Sequence, residues 1–339
     1  MKFKKGMKKK NFGNRIAVMI LGPLGDVINT SVVFRTLADA YPHATLSIIA
    51  TDRGAPATVG IPEITDKYIL DTSNTGNRKN AGSFKFAWSL RGKFDTVIVL
   101  DNSLRSAVCA FLTCAKNRIG RGRELRELFL TDIVPYLDEE KNCRIHVSEH
   151  YARCLKPLNI YKENLDTSFV FDEKEEKVVS DLLENNNLSD KKIIGFCPAC
   201  GSKRKTLLLE DSIKILKYLN SLNKYDVVIV GGNDVKDYVS KLKQEDIEFT
   251  DFSGHTTFSQ TAALINKCEK FISVDTSCMH LALARKVPTL SIFFNNLGTK
   301  WGPKNLDINR CYTNLTAKEL DMDLFIKTFS EIKDKSSLV

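Results

Sequence analysis

Residues 271–293 read FISVDTSCMHLALARKVPTLSIF, and how this stretch folds decides the fold of the chain. Phe271 to Val274 is a short apolar run with the composition of a strand buried on both faces. It stops at Asp275-Thr276-Ser277, side chains that accept hydrogen bonds from backbone N–H groups and so open helices. An alanine- and leucine-rich helix is expected from Thr276, and Thr289 to Phe293 is a second apolar run. Strand, helix and strand in such close succession form a βαβ unit, which requires a parallel sheet.

The same alternation extends in both directions. Strands are expected at Ile193 to Phe196, at Val227 to Val230 before Gly231-Gly232, and near Ile247 to Phe249. Helices are expected around Ile215, Leu219 and Leu222, near Val235 to Leu242, and around Phe258, Ala262 and Ile265. Residues 171–192 (FDEKEEKVVSDLLENNNLSDKK) are charged and asparagine-rich, as expected of a surface helix and a loop at a domain boundary. Before them lies another series. Arg15 to Leu21 is a strand, and the segment through Val33 and Leu37 to Tyr41 is helical. Strands follow at Thr45 to Ala50, within Pro62 to Leu70 and at Thr96 to Leu100, then a helix from Leu104 and a short strand at Arg118 to Gly120. Two α/β domains are expected, at 1–170 (with a basic tail, 1–14) and 171–319, followed by an amphipathic segment within 320–339. Ligands of such sheets bind beyond the carboxyl ends of the strands.

The 339 residues are 43% hydrophobic and 27% charged, which excludes a disordered chain and a collagen-like repeat. No apolar run reaches the roughly 18 residues needed to span a bilayer. Ile16 to Leu24 behind a basic tail imitates a signal peptide, but Gly25-Asp26-Val27 stands where a cleavage site would lie, so a buried first strand is expected. The nine cysteines are scattered, as for reduced thiols in a cytosolic protein. Cys197-Pro198-Ala199-Cys200 lacks the second pair that a zinc site needs, and is read as strand-end packing beside a functional loop.

Fifty basic residues against 41 acidic ones give a net charge of +9, which suits an anionic partner. Lys2, Lys4, Lys5, Lys8, Lys9 and Lys10 form either a solubilising tail or an attraction to an anionic membrane face. The remaining basic residues are not interleaved with stacking aromatics, so no nucleic acid is expected.

Four loops carry chemistry. In Gly22-Pro23-Leu24-Gly25-Asp26, Gly25 permits a tight turn or close approach, and Asp26 is either a helix cap or a base for an incoming hydroxyl. Cys200-Gly201-Ser202-Lys203-Arg204-Lys205 suits a phosphate without being a Walker loop. Gly231-Gly232-Asn233-Asp234 lets a base or ribose approach the backbone, with Asp234 accepting a hydroxyl. At Asp275-Thr276-Ser277-Cys278, the helix start offers free N–H groups to an anion, and His280 lies one turn on from Thr276.

Together these loops resemble glycosyltransferase family 9, the lipopolysaccharide heptosyltransferase family, from Arg15 to about Pro303. GDVINTSVVFRTLADAYPHATLSIIAT, FDTVIVLDNSLRSA, NRIG, PACGSKRKT, VVIVGGNDV and the segment FSGHTTFSQ through SIF carry the likeness in order. The resemblance implies a GT-B fold, with two Rossmann-like domains whose parallel sheets face across a cleft. The acceptor is then held by the first domain and a nucleotide-sugar by the second, while Leu320 to Ile332 packs back on the first domain. By position Asp26 matches the catalytic base and Lys205 the diphosphate-binding lysine. Asp275, Thr276, Ser277 and His280 match the donor-contacting helix start. Gly201, Ser202, Gly232, Asp234, Thr256 and Cys278 complete the donor side, with Gly25, Asn102 and Arg105 on the acceptor side. The chain departs from the family at Leu207 (for tryptophan), Phe293 to Asn296 (for Phe-Gly-Pro-Thr) and Ser277 (for glycine).

The activity so implied is an inverting transfer of heptose from ADP-heptose to a lipid A–Kdo or core oligosaccharide acceptor. It would take place at the cytoplasmic face of the inner membrane, with peripheral membrane contact. No carboxylate-rich cluster accompanies the loops, so neither metal nor cofactor is expected. The alternatives are transfer of a hexose or N-acetylhexosamine from another nucleotide-sugar, or a non-enzymatic nucleotide- or nucleic-acid-binding protein.

Overall fold

The computed structural model describes residues 11–73, 79–188, 191–295, 297–314 and 319–338, so most of the lysine-rich tail lies outside the described residues. The first domain contains strands β1 (Arg15–Met19), β2 (Thr45–Thr51), β3 (Asp66–Leu70), β4 (Thr96–Val99), β5 (Asn117–Arg121) and β6 (Asp132–Val134). Its helices are α1 (Leu24–Asn29), α2 (Ser31–Ala40), α3 (Lys79–Ser89), α4 (Leu104–Leu112), α5 (Asp138–Lys141) and α6 (Val147–Ala152). The second domain begins with α7 (Glu173–Asn185), capped by Asp172, and continues with β7 (Lys192–Cys197), α8 (Leu209–Ser221) and β8 (Tyr225–Ile229). It is completed by α9 (Lys236–Leu242), β9 (Thr250–Asp251), α10 (Phe258–Lys267), β10 (Lys270–Val274), α11 (Ser277–Ala284), β11 (Thr289–Phe293), α12 (Gly298–Trp301), β12 (Arg310–Thr313) and α13 (Met322–Ser330).

Each sheet is six-stranded, in the orders β3-β2-β1-β4-β5-β6 and β12-β11-β10-β7-β8-β9. Among the described residues every strand pairing is parallel. Both sheets therefore have the doubly wound Rossmann order, whose crevice opens where the winding reverses, between β1 and β4 and between β7 and β10. The loops after β1, β7, β8 and β10 are the four singled out above. All residues of β4, β10 and β11 are buried, which explains why they are mostly apolar and why their few polar side chains are small or, as with Lys270, paired.

The domains pack closely. Phe169, fully buried in the crossover between them, meets Phe258 of α10 edge-on at 5.6 Å and fills the space beside Gly60. Arg285 donates to the Phe169 carbonyl (2.9 Å) and Lys304 to that of Leu165 (2.8 Å).

Several expectations need correction. The helical segment to Tyr41 is two helices meeting at Thr30, whose hydroxyl donates to the Val27 carbonyl at 2.7 Å. Strand β3 falls within the Pro62 to Leu70 segment, as expected, whereas β9 lies just beyond Ile247 to Phe249, because the edge of β8 pairs only with Thr250 and Asp251. Asp26 is not a helix cap: Pro23 occupies that position, with no side-chain capping bond. The last helix does not pack on the first domain. Phe325 and Phe329 of α13 meet Tyr218 of α8 edge-on at 6.4 and 6.1 Å, inside the core of the second domain. β12 delivers the chain directly onto that sheet, and the buried Asp211 carboxylate accepts from Leu320 N (3.0 Å), so the shorter route is taken. The Asp-x-Asp spacing at Asp321 and Asp323 belongs to this helix, where Asp321 caps it by accepting from Leu324 N.

Candidate active site

The cleft between the domains has a volume of about 510 Å³. From the first domain it is lined by Pro23 to Asp26 and Arg53, and from the second by Cys200, Gly201, Ser202, Lys205, Asp234, Asp275 to Ser277, His280 and Trp301. Ten of the predicted site residues thus meet here: Gly25, Asp26, Gly201, Ser202, Lys205, Asp234, Asp275, Thr276, Ser277 and His280.

The turn after β1 is shaped by what its glycines leave room for. A Cβ on Gly22 would stand 2.4 Å from Asp26 Oδ2, so the carboxylate folds against bare backbone. A Cβ on Gly25 would stand 2.5 Å from His280 Cδ2, so the close approach made possible there is that of the second domain itself. Asp26 Oδ1 accepts the Tyr151 hydroxyl at 2.7 Å. Burial raises the Asp26 carboxyl above its ordinary value. The Tyr151 hydrogen bond opposes this, the Asp101 charge adds to it, and Lys300 and Lys205 work against it. A carboxylate held in this way is a better proton acceptor than a solvated one.

On the facing wall, Lys205 Nζ lies 2.6 Å from Asp275 Oδ2. Asp275 is nearly buried at the end of β10, while the lysine remains accessible, so its amine is anchored yet open to an anion. Thr276 caps α11, its hydroxyl accepting from Met279 N at 3.4 Å, and the first N–H groups of the helix point beyond the strand ends. His280 is nearly buried, and burial pushes its imidazole down to about 4, so it is neutral at pH 7. The Asn29 amide nitrogen donates to the Gly25 carbonyl (2.7 Å) and lies 3.3 Å from His280 Nδ1. With the amide as donor, the ring proton sits on Nε2, beside Gly25.

The remaining predicted residues are not among those lining the cleft. Gly232 backs the Asp234 carboxylate, which a Cβ would meet at 2.7 Å. Thr256 shares a hydrogen bond with Thr261 (2.8 Å), and Cys278 is buried in the first turn of α11. Asn102 accepts from Arg126 (3.2 Å). Arg105 lines a recess of about 370 Å³ with Leu21, Gly22, Pro23, Thr51, Arg53 and Thr72, and this recess meets the cleft at Pro23 and Arg53. Cys197 is buried and Cys200 half-buried, both free, which agrees with strand-end packing.

Sequence reasoning missed Arg53, Tyr151, Asn29 and Trp301. Arg53 follows β2 and was within reach of the strand-end rule. Trp301 lines the cleft and meets His280 edge-on at 6.0 Å, whereas Leu207, at the family's tryptophan position, is buried in the second core.

Two Rossmann-like domains with a carboxylate on one wall of the cleft and a lysine and helix start on the other make a GT-B glycosyltransferase. The family model for glycosyltransferase family 9 (heptosyltransferase) matches residues 83–324, and the chain belongs to that family. It is 23% identical over 291 residues to lipooligosaccharide heptosyltransferase 2 of Haemophilus ducreyi, covering 80% of each chain. Its fold is similar to that of a family 9 glycosyltransferase from Veillonella parvula, with a TM-score of 0.77, 22% identity and coverage of 95% of this chain and 91% of that one. It is also similar to the E. coli ADP-heptose lipopolysaccharide heptosyltransferase II, with a TM-score of 0.74, 22% identity and coverage of 94% and 96%.

Proposed function

We propose that the protein transfers a heptose from ADP-heptose to the inner core of lipopolysaccharide or lipooligosaccharide, with inversion and without a metal. The observation that carries this reading is the meeting of Asp26, Lys205 and the α11 start in one cleft, opposite each other across the domain boundary. Asp26 takes the proton of the acceptor hydroxyl as its oxygen attacks the anomeric carbon from the face opposite the diphosphate. The bond to the diphosphate breaks as the new glycosidic bond forms. Lys205 turns from Asp275 toward the leaving diphosphate, and the N–H groups of residues 276–278 share its charge. Fixed donors of this kind supply several kcal/mol of transition-state stabilisation. Neutral His280 donates from Nε2 without adding a charge. Gly201, Ser202 and Asp234 border the donor, and Arg53 and Arg105 face the acceptor side. The acceptor is anchored in a lipid bilayer, and the enzyme works at the anionic cytoplasmic face of the inner membrane.

The relatives named for heptosyl transfer and the name of the E. coli structure support heptose over another sugar. Donor screening against a truncated lipid A–Kdo acceptor, read by mass shift with and without EDTA, tests the reading. A heptose added from ADP-heptose at equal rates in both arms is expected. A hexose or N-acetylhexosamine added instead, or a rate abolished by EDTA, overturns the donor or the leaving-group account.

A further inference from the structure

We infer that a second cavity between the domains, behind the turn that carries Trp301, binds a sugar bearing a phosphate or a carboxylate. This cavity has a volume of about 650 Å³ and shares no lining residue with the catalytic cleft. It lies beyond the carboxyl ends of β11 and β12, where Asn295 and Thr313 meet Arg144 and Asn164 of the first domain. Sheets of this kind take their ligands at that end of the strands.

Helix α12 is the partition between the two cavities. Its Trp301 lines the cleft and meets His280, whereas Gly298 and Thr299 line the second cavity. The first domain holds the chain just after this partition. Lys304 donates to the Leu165 carbonyl (2.8 Å), and the His146 ring is turned to the Gly302 carbonyl. His146 Nδ1 accepts from Ser148 N at 3.2 Å, so the ring proton sits on Nε2, and burial pushes the imidazole down to about 3. His146 and Lys304 also line a smaller cavity of about 90 Å³ that reaches Asn29 and His280. The second site therefore adjoins the reacting centre from behind without opening into it.

The lining decides the ligand. Among the described residues it holds the cations Arg144 and Lys304 and no carboxylate. The exposed Arg144 guanidinium makes no ion pair or hydrogen bond among the described residues. Burial lowers the pKa of Lys304, and the charges of Asp166 and Glu149 favour its protonated form, although Glu149 is itself paired with Arg153 at 3.4 Å. The Thr299 and Thr313 hydroxyls and the Asn164 and Asn295 amides add neutral donors. Asn295 Oδ1 already accepts from Leu297 N (2.9 Å), which leaves its NH2 group to face a ligand. A wall of donors complements oxygen atoms, with charged ones at the two cations and hydroxyls at the rest. Pro303 and Leu306 offer apolar surface to the C–H face of a sugar ring. No phenylalanine, tyrosine or tryptophan lines the cavity among the described residues, so nothing there stacks on a nucleobase, and a second nucleotide site is disfavoured. The volume suits a small molecule of one or two rings.

The site goes beyond the proposed function and is tested without any transfer. Saturating ADP first occupies the diphosphate site of the full-length protein. Glucose 6-phosphate and glucuronate are then titrated by calorimetry, with glucose as the uncharged control. Saturable binding of a charged sugar, and not of glucose, is expected. Arg144→Glu should weaken it by about tenfold or more, through loss of a charge-assisted contact, and should keep its thermal melt because Arg144 is exposed. Lys304→Met, which keeps the apolar stem, should weaken it likewise. Absence of saturable binding, or binding that Arg144→Glu leaves unchanged, overturns the inference. Binding lost instead with Arg53→Ala would put the anion in the recess beside the cleft and overturns it too. A delipidated core oligosaccharide that displaces the bound sugar makes the acceptor the source of the anionic group, and failure to displace it makes a free sugar phosphate or sugar acid the source; both uphold the site. Binding in a protein that transfers no heptose would uphold the site and refute the proposed function alone, whereas heptose transfer without such binding would refute the site alone.

Discussion

Tyr151→Phe removes one hydroxyl and leaves the ring packing beside His150 in place. That hydroxyl is the largest of the influences holding the Asp26 carboxyl down against burial and the Asp101 charge. A hydrogen bond to a charged group is worth about 1.5–3 kcal/mol, and about 1.4 kcal/mol corresponds to one pH unit. Water entering from the cleft restores part of the loss, so the acid limb of kcat/KM should move up by about one pH unit. The sign follows from the role. A base must be ionised to act, and without the phenol the carboxylate is harder to ionise. Turnover on the acid side of the limb should therefore fall about tenfold, while the plateau changes little. The assay is a pH series of kcat/KM for heptose transfer, read by product mass, with unmodified protein alongside. An acid limb that stays in place or moves to lower pH would refute the assignment of Asp26 as the base. A plateau that drops together with the expected upward shift of the limb would show that Tyr151 also positions the site by packing.

Asp26→Ala should reduce turnover by about 10²- to 10⁴-fold while leaving ADP binding nearly intact by calorimetry; unchanged turnover removes the base. Lys205→Ala should raise the Kd for ADP by about ten- to a hundredfold, the loss of a charge-assisted contact, and an unaltered Kd counts against the diphosphate role. His280 is held at about 4 in the fold against 6.5 when solvated, so the unfolded chain takes up the proton first as pH falls. Its share of stability is present above pH 6.5 and is lost as pH falls toward 4, by up to about 3 kcal/mol. His280→Gln should flatten that part of the acid loss in melting curves, leaving the separate share of His146, held down to about 3 by burial. An acid slope identical to that of the unmodified protein would show that His280 titrates as if solvated.

Much of the site was legible because α/β folds place function by rule. Strand ends follow from local apolar runs, and the chemistry of Asp26, Lys205 and Asp275 to His280 lies within a few residues of a strand end. Arg53 obeys the same rule. Thr256 misled because a polar residue before a helix, here capped by Thr257, has the same composition whether it serves the helix or a ligand.

The sequence by itself determined the two βα series, the parallel sheets they require and the loops that carry the reacting groups, since each depends on periodicity and capping over a few residues. Only the tertiary structure decided how those groups are tuned. Tyr151 reaches Asp26 across 125 positions, and Asn29 reaches His280 across 251, and no local pattern encodes a contact at such separation. The side chosen by α13 was likewise decided by packing. An amphipathic helix records that one face is apolar, but which core receives it depends on where β12 and Asp211 bring the chain.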